Sequence, residues 1–292
     1  MTMTRTPGLP KLSAKQLIGA NFSFQHYPFE KVAKIIRGFG VTEIELWGIA
    51  PHLDLFHADA ARVARVKTIL DDNGLSTWCF TPEQVIYPIN IASGDAQLRR
   101  DSIDRFRHAA EICAALGGRY LFLTTGRGFE SEPRERAWAD AAESLSEIAG
   151  HAQACGIRCL LEPLQRVETN VVTNAADLSR MLDDVSSPIM DVVLDTVGMA
   201  TAGDTVAGYI RLFGDRLAHV QLVDGTPAGH LAWGDGNLPL GTYLEELSAA
   251  GYRGKLTFEP FGNGSYALDP VKTWTRCLEG VAPYLEREAE AA

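Results

Sequence analysis

Residues 159–196 read CLLEPLQRVETNVVTNAADLSRMLDDVSSPIMDVVLDT and spell out one strand–helix–strand unit. CLLEPL from Cys159 and DVVLDT from Asp191 are short runs with consecutive apolar positions, the pattern of parallel strands covered on both faces. Between them NAADLSRMLDDV has helical spacing, and Asn174 stands where its side chain can cap the first turn. Two such strands joined by a helix must run the same way, because the connection is a crossover and not a hairpin.

Working outward, the same alternation continues to both ends. Upstream strands are expected at QLIGANFSF from Gln16, EIELW from Glu43, STWCFTPE from Ser76 and YLFLTTG from Tyr120. Downstream ones are LAHVQLVD from Leu217 and KLTFEP from Lys255. Helical segments start near Pro28, Ala58, Ala96, Ser131, Asn174, Thr205, Leu240 and Asp269, with Gly40, Gly74 and Gly117 at helix stops and Asp269 as a second N-cap. Strand starts recur about every 34 residues, the span of one strand–helix unit. Eight unbroken repeats predict an α/β protein, one closed (β/α)8 TIM barrel over residues 1–292. About residues 1–14 are then an N-terminal extension, and about 286–292, EREAEAA, a frayed tail. A doubly wound open sheet is the rival, and no G-x-G-x-x-G follows any strand to favour it.

The composition narrows the function. With 27 Lys+Arg against 37 Asp+Glu the net charge is −10, and no basic stripe is available for phosphate contacts, so a nucleic-acid partner is not expected. No apolar run reaches the ~20 residues a membrane span needs. The five cysteines, Cys79, Cys113, Cys155, Cys159 and Cys277, are odd in number and lack a second close pair for a zinc site. They read as buried thiols of a cytoplasmic protein.

In a barrel the chemistry gathers at the C-terminal strand ends. The last four strands end in Leu161-Glu162-Pro163, Leu194-Asp195-Thr196, Val220-Gln221-Leu222-Val223-Asp224 and Phe258-Glu259-Pro260. Carboxylates set in such apolar runs are costly to bury alone and must be neutralised or paired. Glu162, Asp195, Gln221 and Glu259 together offer four hard oxygen donors to a divalent cation. Mn²⁺ fits first, with Co²⁺, Mg²⁺ and Zn²⁺ left open. The alternative is that each acid pairs with an arginine or caps the next helix. Glu168 is a candidate substrate contact from the loop after strand five, with a merely solvated glutamate as the rival, and His230 a substrate contact or proton relay from the loop after strand seven, with a satisfied surface histidine as the rival. Glu45 and Trp47, at the end of strand two, are candidates to shape the pocket, with plain core as the rival for Trp47. His219 lies two residues before Gln221, hence on the same face one layer deeper. Gly234 and Gly236 in WGDG suit a tight turn.

The order LLEPLQRVETNVVTNAADL, VVLDT, LAHVQLVDGTPAGHLAWGDGNLPL and GYRGKLTFEPF resembles the xylose-isomerase-like superfamily of sugar isomerases and epimerases over nearly the whole chain. TPEQVIYPINIASGDAQLRRDSID, EPLQRVETNVV and HVQLVDGTPAGHLAWGDGNLPL are similar to its fructoselysine 3-epimerase and ketose 3-epimerase branch. The resemblance implies a metal-dependent sugar epimerase or isomerase. In it Glu162 and Glu259 hold the cation and also act as the catalytic pair on opposite faces of the substrate carbon, and Asp195 and the strand-seven residue complete the coordination. Many relatives carry His at the strand-seven position where this chain has Gln221, which is similar to the hydroxypyruvate isomerase branch. Gly198 stands where many epimerases have a histidine, and no arginine follows Gln221 at the usual spacing. Those departures leave room for a bulkier substrate, so a lyase or C-glycoside-cleaving subunit, or a hydroxypyruvate-isomerase-like enzyme, is the second reading and a non-catalytic, metal-stabilised binding subunit the third. Barrels of this kind often form dimers or tetramers, and Trp47, Trp233 or Tyr266 are candidate interface residues.

Overall fold

The computed structural model describes residue 8, residues 10–85 and residues 88–286. Eight parallel strands follow one another in sequence order: β1 (Gly19–Ala20), β2 (Glu43–Gly48), β3 (Ser76–Pro82), β4 (Tyr120–Leu123), β5 (Arg158–Leu161), β6 (Met190–Asp195), β7 (Leu217–Gln221) and β8 (Lys255–Thr257). The ring is drawn together where Leu17 bridges Leu256 in parallel and the Ile18 N–H donates to the Leu256 carbonyl at 2.9 Å. The fold is a TIM barrel, as the strand repeat predicts.

Nine α-helices are found among the described residues: α1 (Phe29–Gly38), α2 (Ala60–Asp72), α3 (Ala96–Ala115), α4 (Arg134–Ala154), α5 (Ala175–Val185), α6 (Thr196–Ala202), α7 (Val206–Phe213), α8 (Leu240–Ala249) and α9 (Pro270–Val281). Their apolar spacing is what seats them. In α5, Ala175, Leu178, Met181, Leu182 and Val185 recur every three or four residues and are all buried. Asn174 caps α5 by accepting from the Asp177 N–H, and Asp269 caps α9 by accepting from the Lys272 N–H. Gly40, Gly74 and Gly117 follow α1, α2 and α3 with φ of +87°, +64° and +73°, the left-handed helix stop that glycine adopts without strain.

Three sequence expectations change. The first strand is far shorter than QLIGANFSF, because residues 22–24 turn into a 3₁₀ segment that carries Phe22 over the barrel mouth. A ninth helix, α6, begins immediately after β6; seven residues containing Gly198 and two threonines give no amphipathic period to read. Cys155 is only half-buried, while the other four thiols are buried.

At the edge, Leu12–Ser13 pairs in parallel with Leu285–Glu286, so part of the expected extension and the first residue of the expected tail form a small sheet of their own. The rest of the expected extension up to residue 7, residue 9, and residues 287–292 of the expected tail lie outside the described residues. No described helix is long and apolar enough to cross a membrane.

Candidate active site at the C-terminal strand ends

Register places the polar strand ends on one rim. Asp195 of β6 pairs with Gln221 of β7, and Gln221 pairs with Thr257 of β8, so Glu259 stands two residues further along on the same face. Glu162 follows β5 directly, its N–H donating to the Leu123 carbonyl at 3.1 Å. All four side chains are buried, Glu162 at 7%, Asp195 at 3%, Gln221 at 1% and Glu259 at 6% exposure.

These acids meet each other and not arginines. Burial pushes the Glu162 carboxyl well above the usual range, and Asp195, Glu168 and Glu45 push it further. Glu259 is raised by burial and then by Asp195, Glu162, Glu45 and Glu168. Asp195 is raised by burial, against the opposing pull of His230 and the N–H groups of Gly198 and Val197. Among the described residues no lysine or arginine pairs with Glu162, Asp195 or Glu259. The pairing alternative therefore does not account for them, although the capping alternative holds for half of one: Asp195 Oδ1 accepts from the Gly198 N–H at 2.6 Å and caps α6. Among the described residues its Oδ2 is buried without a hydrogen-bond partner, as is Oε1 of Gln221. Two buried oxygen acceptors left open among unpaired carboxylates is the arrangement a cation satisfies.

The loop after β7 brings in a histidine. Asp224 bridges Leu231 in antiparallel fashion, and its carboxylate accepts the backbone N–H groups of Gly225, Gly234, Gly236 and Leu238. That clamp holds residues 225–238 as a compact loop. Gly236 is required there, because a Cβ would lie 2.3 Å from Asp224 Oδ1 and 2.4 Å from the Gly225 carbonyl. The loop presents His230 with φ of +42°, a left-handed conformation uncommon for a non-glycine residue and maintained here by its neighbours. The N–H groups of Phe261 and Gly262 donate to the His230 carbonyl, and its ring stacks on Phe261 with centroids 4.7 Å apart. His230 Nε2 then lies 3.7 Å from Asp195 Oδ2. Asp195, His230 and Glu259 each offer a ligand atom, all within 4.8 Å of one another, and form a possible metal-binding triad.

The remaining expected residues fall into two tiers. Glu168 is half-buried and accepts from the Gln165 N–H at 3.1 Å; burial raises its carboxyl, while His230 nearby lowers it. Trp47 is buried and packs on Phe22 at 4.5 Å, Phe22 on Phe261 at 5.5 Å, and Phe261 on His230, an aromatic wall running from β2 to the histidine. The Trp47 indole N–H has no hydrogen-bond partner among the described residues. Glu45 sits below, fully buried, accepting from Thr81 Oγ1 at 2.8 Å, His219 Nε2 at 2.8 Å and Gln221 Nε2 at 3.1 Å. Of the three candidate interface residues, Trp47 is buried, and Trp233 and Tyr266 are half-buried with Tyr284 and Asp235 as partners in the same chain. Phe22 and Phe261 are not legible as site residues, and Asp224 is legible only as the acid that closes the strand-seven run, with no role attached. A cavity of about 720 Å³ lies at the opposite end of the barrel, between Trp78, Arg119, Tyr252 and Arg253, away from the carboxylates.

The family described as Xylose isomerase-like TIM barrel matches residues 29–279. The chain belongs to that family. Within the xylose isomerase-like barrels it is similar to fructoselysine 3-epimerase of Escherichia coli O157:H7, 30% identical over 237 residues that cover 80% of this chain and 86% of that protein. It is also similar to D-psicose 3-epimerase of Ruminiclostridium cellulolyticum, 26% identical over 276 residues, 91% of this chain and 89% of the relative. Among solved structures, L-ribulose 3-epimerase superposes with a TM-score of 0.77 at 22% identity, covering 97% of this chain and 95% of that one. The chain is an enzyme of the isomerase class, and its relatives are sugar epimerases built on the same barrel.

Proposed function

We propose that this xylose isomerase-like barrel is a divalent-metal-dependent epimerase of a ketose or a ketosugar conjugate, working by proton removal and return through an enediolate. The observation that carries the reading is the set of buried carboxylates, Glu162, Asp195 and Glu259, with no lysine or arginine among the described residues to balance them. The residues fit a hard dication. Asp195, Glu259, Glu162 and Gln221 would hold it by oxygen, and His230 is within reach of the same group. Such an ion supplies Lewis acidity, drawing charge from a carbonyl and its neighbouring hydroxyl so that the α-proton becomes acidic. Mn²⁺ is the ion we favour.

The chain's own groups then carry the chemistry. Glu162 and Glu259 come from strands on different sides of the rim, one placed to take the proton from one face of the carbon and the other to return a proton to the opposite face. Return to the opposite face inverts the carbon. Glu168 and His230 would contact hydroxyl groups, and the Trp47 indole N–H offers a further donor. The Phe22, Phe261 and Trp47 wall would keep water from the enediolate. Three carboxylates about one dication leave an excess of negative charge, which favours a neutral polyol over a sugar phosphate.

The test is a proton-exchange screen in D₂O. The Mn²⁺-loaded protein is offered a panel of ketoses and fructosyl-amino acids, and NMR follows loss of the α-proton signal. Exchange and a new epimer are expected with at least one of them, and both should vanish in Glu162→Gln and Glu259→Gln. A panel with no exchange, or exchange that persists in both variants, contradicts the reading.

A further inference from the structure

We propose that Glu45 is a positioning residue that dictates which end of the Gln221 amide faces the site. The proposal rests on the cation reading above. An amide differs from a carboxylate or an imidazole as a donor to a cation, because its two ends are nearly the same size and opposite in character. The oxygen can bind a cation, and the NH₂ cannot. A glutamine at the end of β7 is therefore useful only if something holds it the right way round.

That control comes from β2, on the far side of the barrel. Glu45 is fully buried, and three donors converge on it: the Thr81 hydroxyl and Gln221 Nε2 on Oε1, and His219 Nε2 on Oε2. A carboxylate so surrounded is an acceptor, so it selects the NH₂ end of Gln221. Turning the amide over would set its oxygen about 3 Å from a carboxylate oxygen, exchanging a charge-assisted hydrogen bond for a repulsive contact. The outcome is visible at the other end of the side chain, where Oε1 is buried without a partner among the described residues. Asp195 follows the same logic. One oxygen is committed to the Gly198 N–H and the other is left open. His219, packed on the Trp78 ring at 4.9 Å, keeps Glu45 from swinging away.

The experiment titrates the full-length protein with Mn²⁺ alone and counts free ion by room-temperature EPR, a readout independent of turnover. Glu45→Met removes the acceptor at similar volume and is expected to weaken Mn²⁺ binding at least tenfold. Glu45→Gln should stay within about threefold of wild type. Its amide oxygen can still accept from Thr81 and Gln221, while His219 moves its proton to Nδ1, which has no partner to lose, and accepts from the new NH₂. Wild-type affinity in a folded Glu45→Met variant overturns the proposal, and so does a Glu45→Gln variant as weak as Glu45→Met. Should Glu45→Met fail to fold, Gln221→Glu gives the answer. Its second oxygen would face Glu45, so Mn²⁺ should bind more weakly despite the added negative charge, and tighter binding overturns the proposal. Wild-type protein that takes up no Mn²⁺ fails the cation reading itself, whereas wild-type uptake with unmoved variants fails only the role of Glu45.

Discussion

Glu162 and Glu259 are carboxylates that are costly to bury, and both carry the proposed chemistry. Each is buried among other acids, so in the metal-free protein each is driven toward the protonated form. Replacing either by glutamine keeps shape and removes a charge. We expect Glu162→Gln and Glu259→Gln each to lower kcat by about 10³-fold, the range for loss of a general acid or base. The same variants should melt higher than wild type when metal-free, by the equivalent of about 1 kcal/mol, as substitutions that relieve an active-site strain do. Differential scanning calorimetry after chelation checks the second half. A metal-free variant that melts lower than wild type would contradict the reading of these carboxylates as buried without a cationic partner.

At the scale of elements, the loop between β7 and α8 depends on one aspartate. Asp224 accepts four backbone N–H groups, and that clamp delivers His230 to Asp195. Asp224→Ala leaves those donors without acceptors and should cost about 2–3 kcal/mol, the usual loss for hydrogen bonds to a charged group. Activity should fall further than stability, because His230 is held in a left-handed conformation only by its surroundings. Gly236→Ala should reproduce the loss of activity, since its Cβ has no room against Asp224 and the Gly225 carbonyl. Steady-state kinetics beside urea melts separates the two effects. Equal losses in both variants' stability with activity intact would show that the loop is not part of the site.

For the whole molecule, the raised carboxyls predict an unusual pH dependence. Folded-state pKa values above the unfolded ones, as for Glu162, Glu259, Asp195 and Glu168, give a stabilising contribution that is complete below the ordinary carboxylate range and is lost as pH rises through the folded values. Metal-free protein should therefore lose stability on going from about pH 5 to pH 8, once His and other titrations are allowed for with the Glu162→Gln variant as reference. Groups such as Asp235, held low by Arg276 and Tyr266, act in the opposite sense and only at more acid pH. A bound dication competes with those protons, so Mn²⁺ should raise the melting temperature more at pH 8 than at pH 5. A thousandfold excess of Mn²⁺ over Kd corresponds to about 4 kcal/mol. Metal-free melting that is flat or rising over this range, or an Mn²⁺ shift independent of pH, would contradict the linkage.

The linear chain by itself determined the barrel and the chemical types at its rim. Each strand–helix unit is local, so apolar runs near Cys159 and Asp191, the caps at Asn174 and Asp269, and the stops at Gly40, Gly74 and Gly117 can be read without knowing what they touch. Strand ends then name Glu162, Asp195, Gln221 and Glu259 as the polar groups facing the mouth. What the pattern could not say is which of these groups lie within reach of which, because that depends on strand register, loop path and residues more than a hundred positions apart. The approach of His230 to Asp195 is decided by Asp224 folding a loop back on itself. The aromatic wall joins Phe22, Trp47 and Phe261 from opposite ends of the chain. The orientation of Gln221 is decided by Glu45, 176 residues earlier, across the barrel. Local pattern fixes where a side chain sits along its strand, whereas its partner and its polarity are properties of the closed ring.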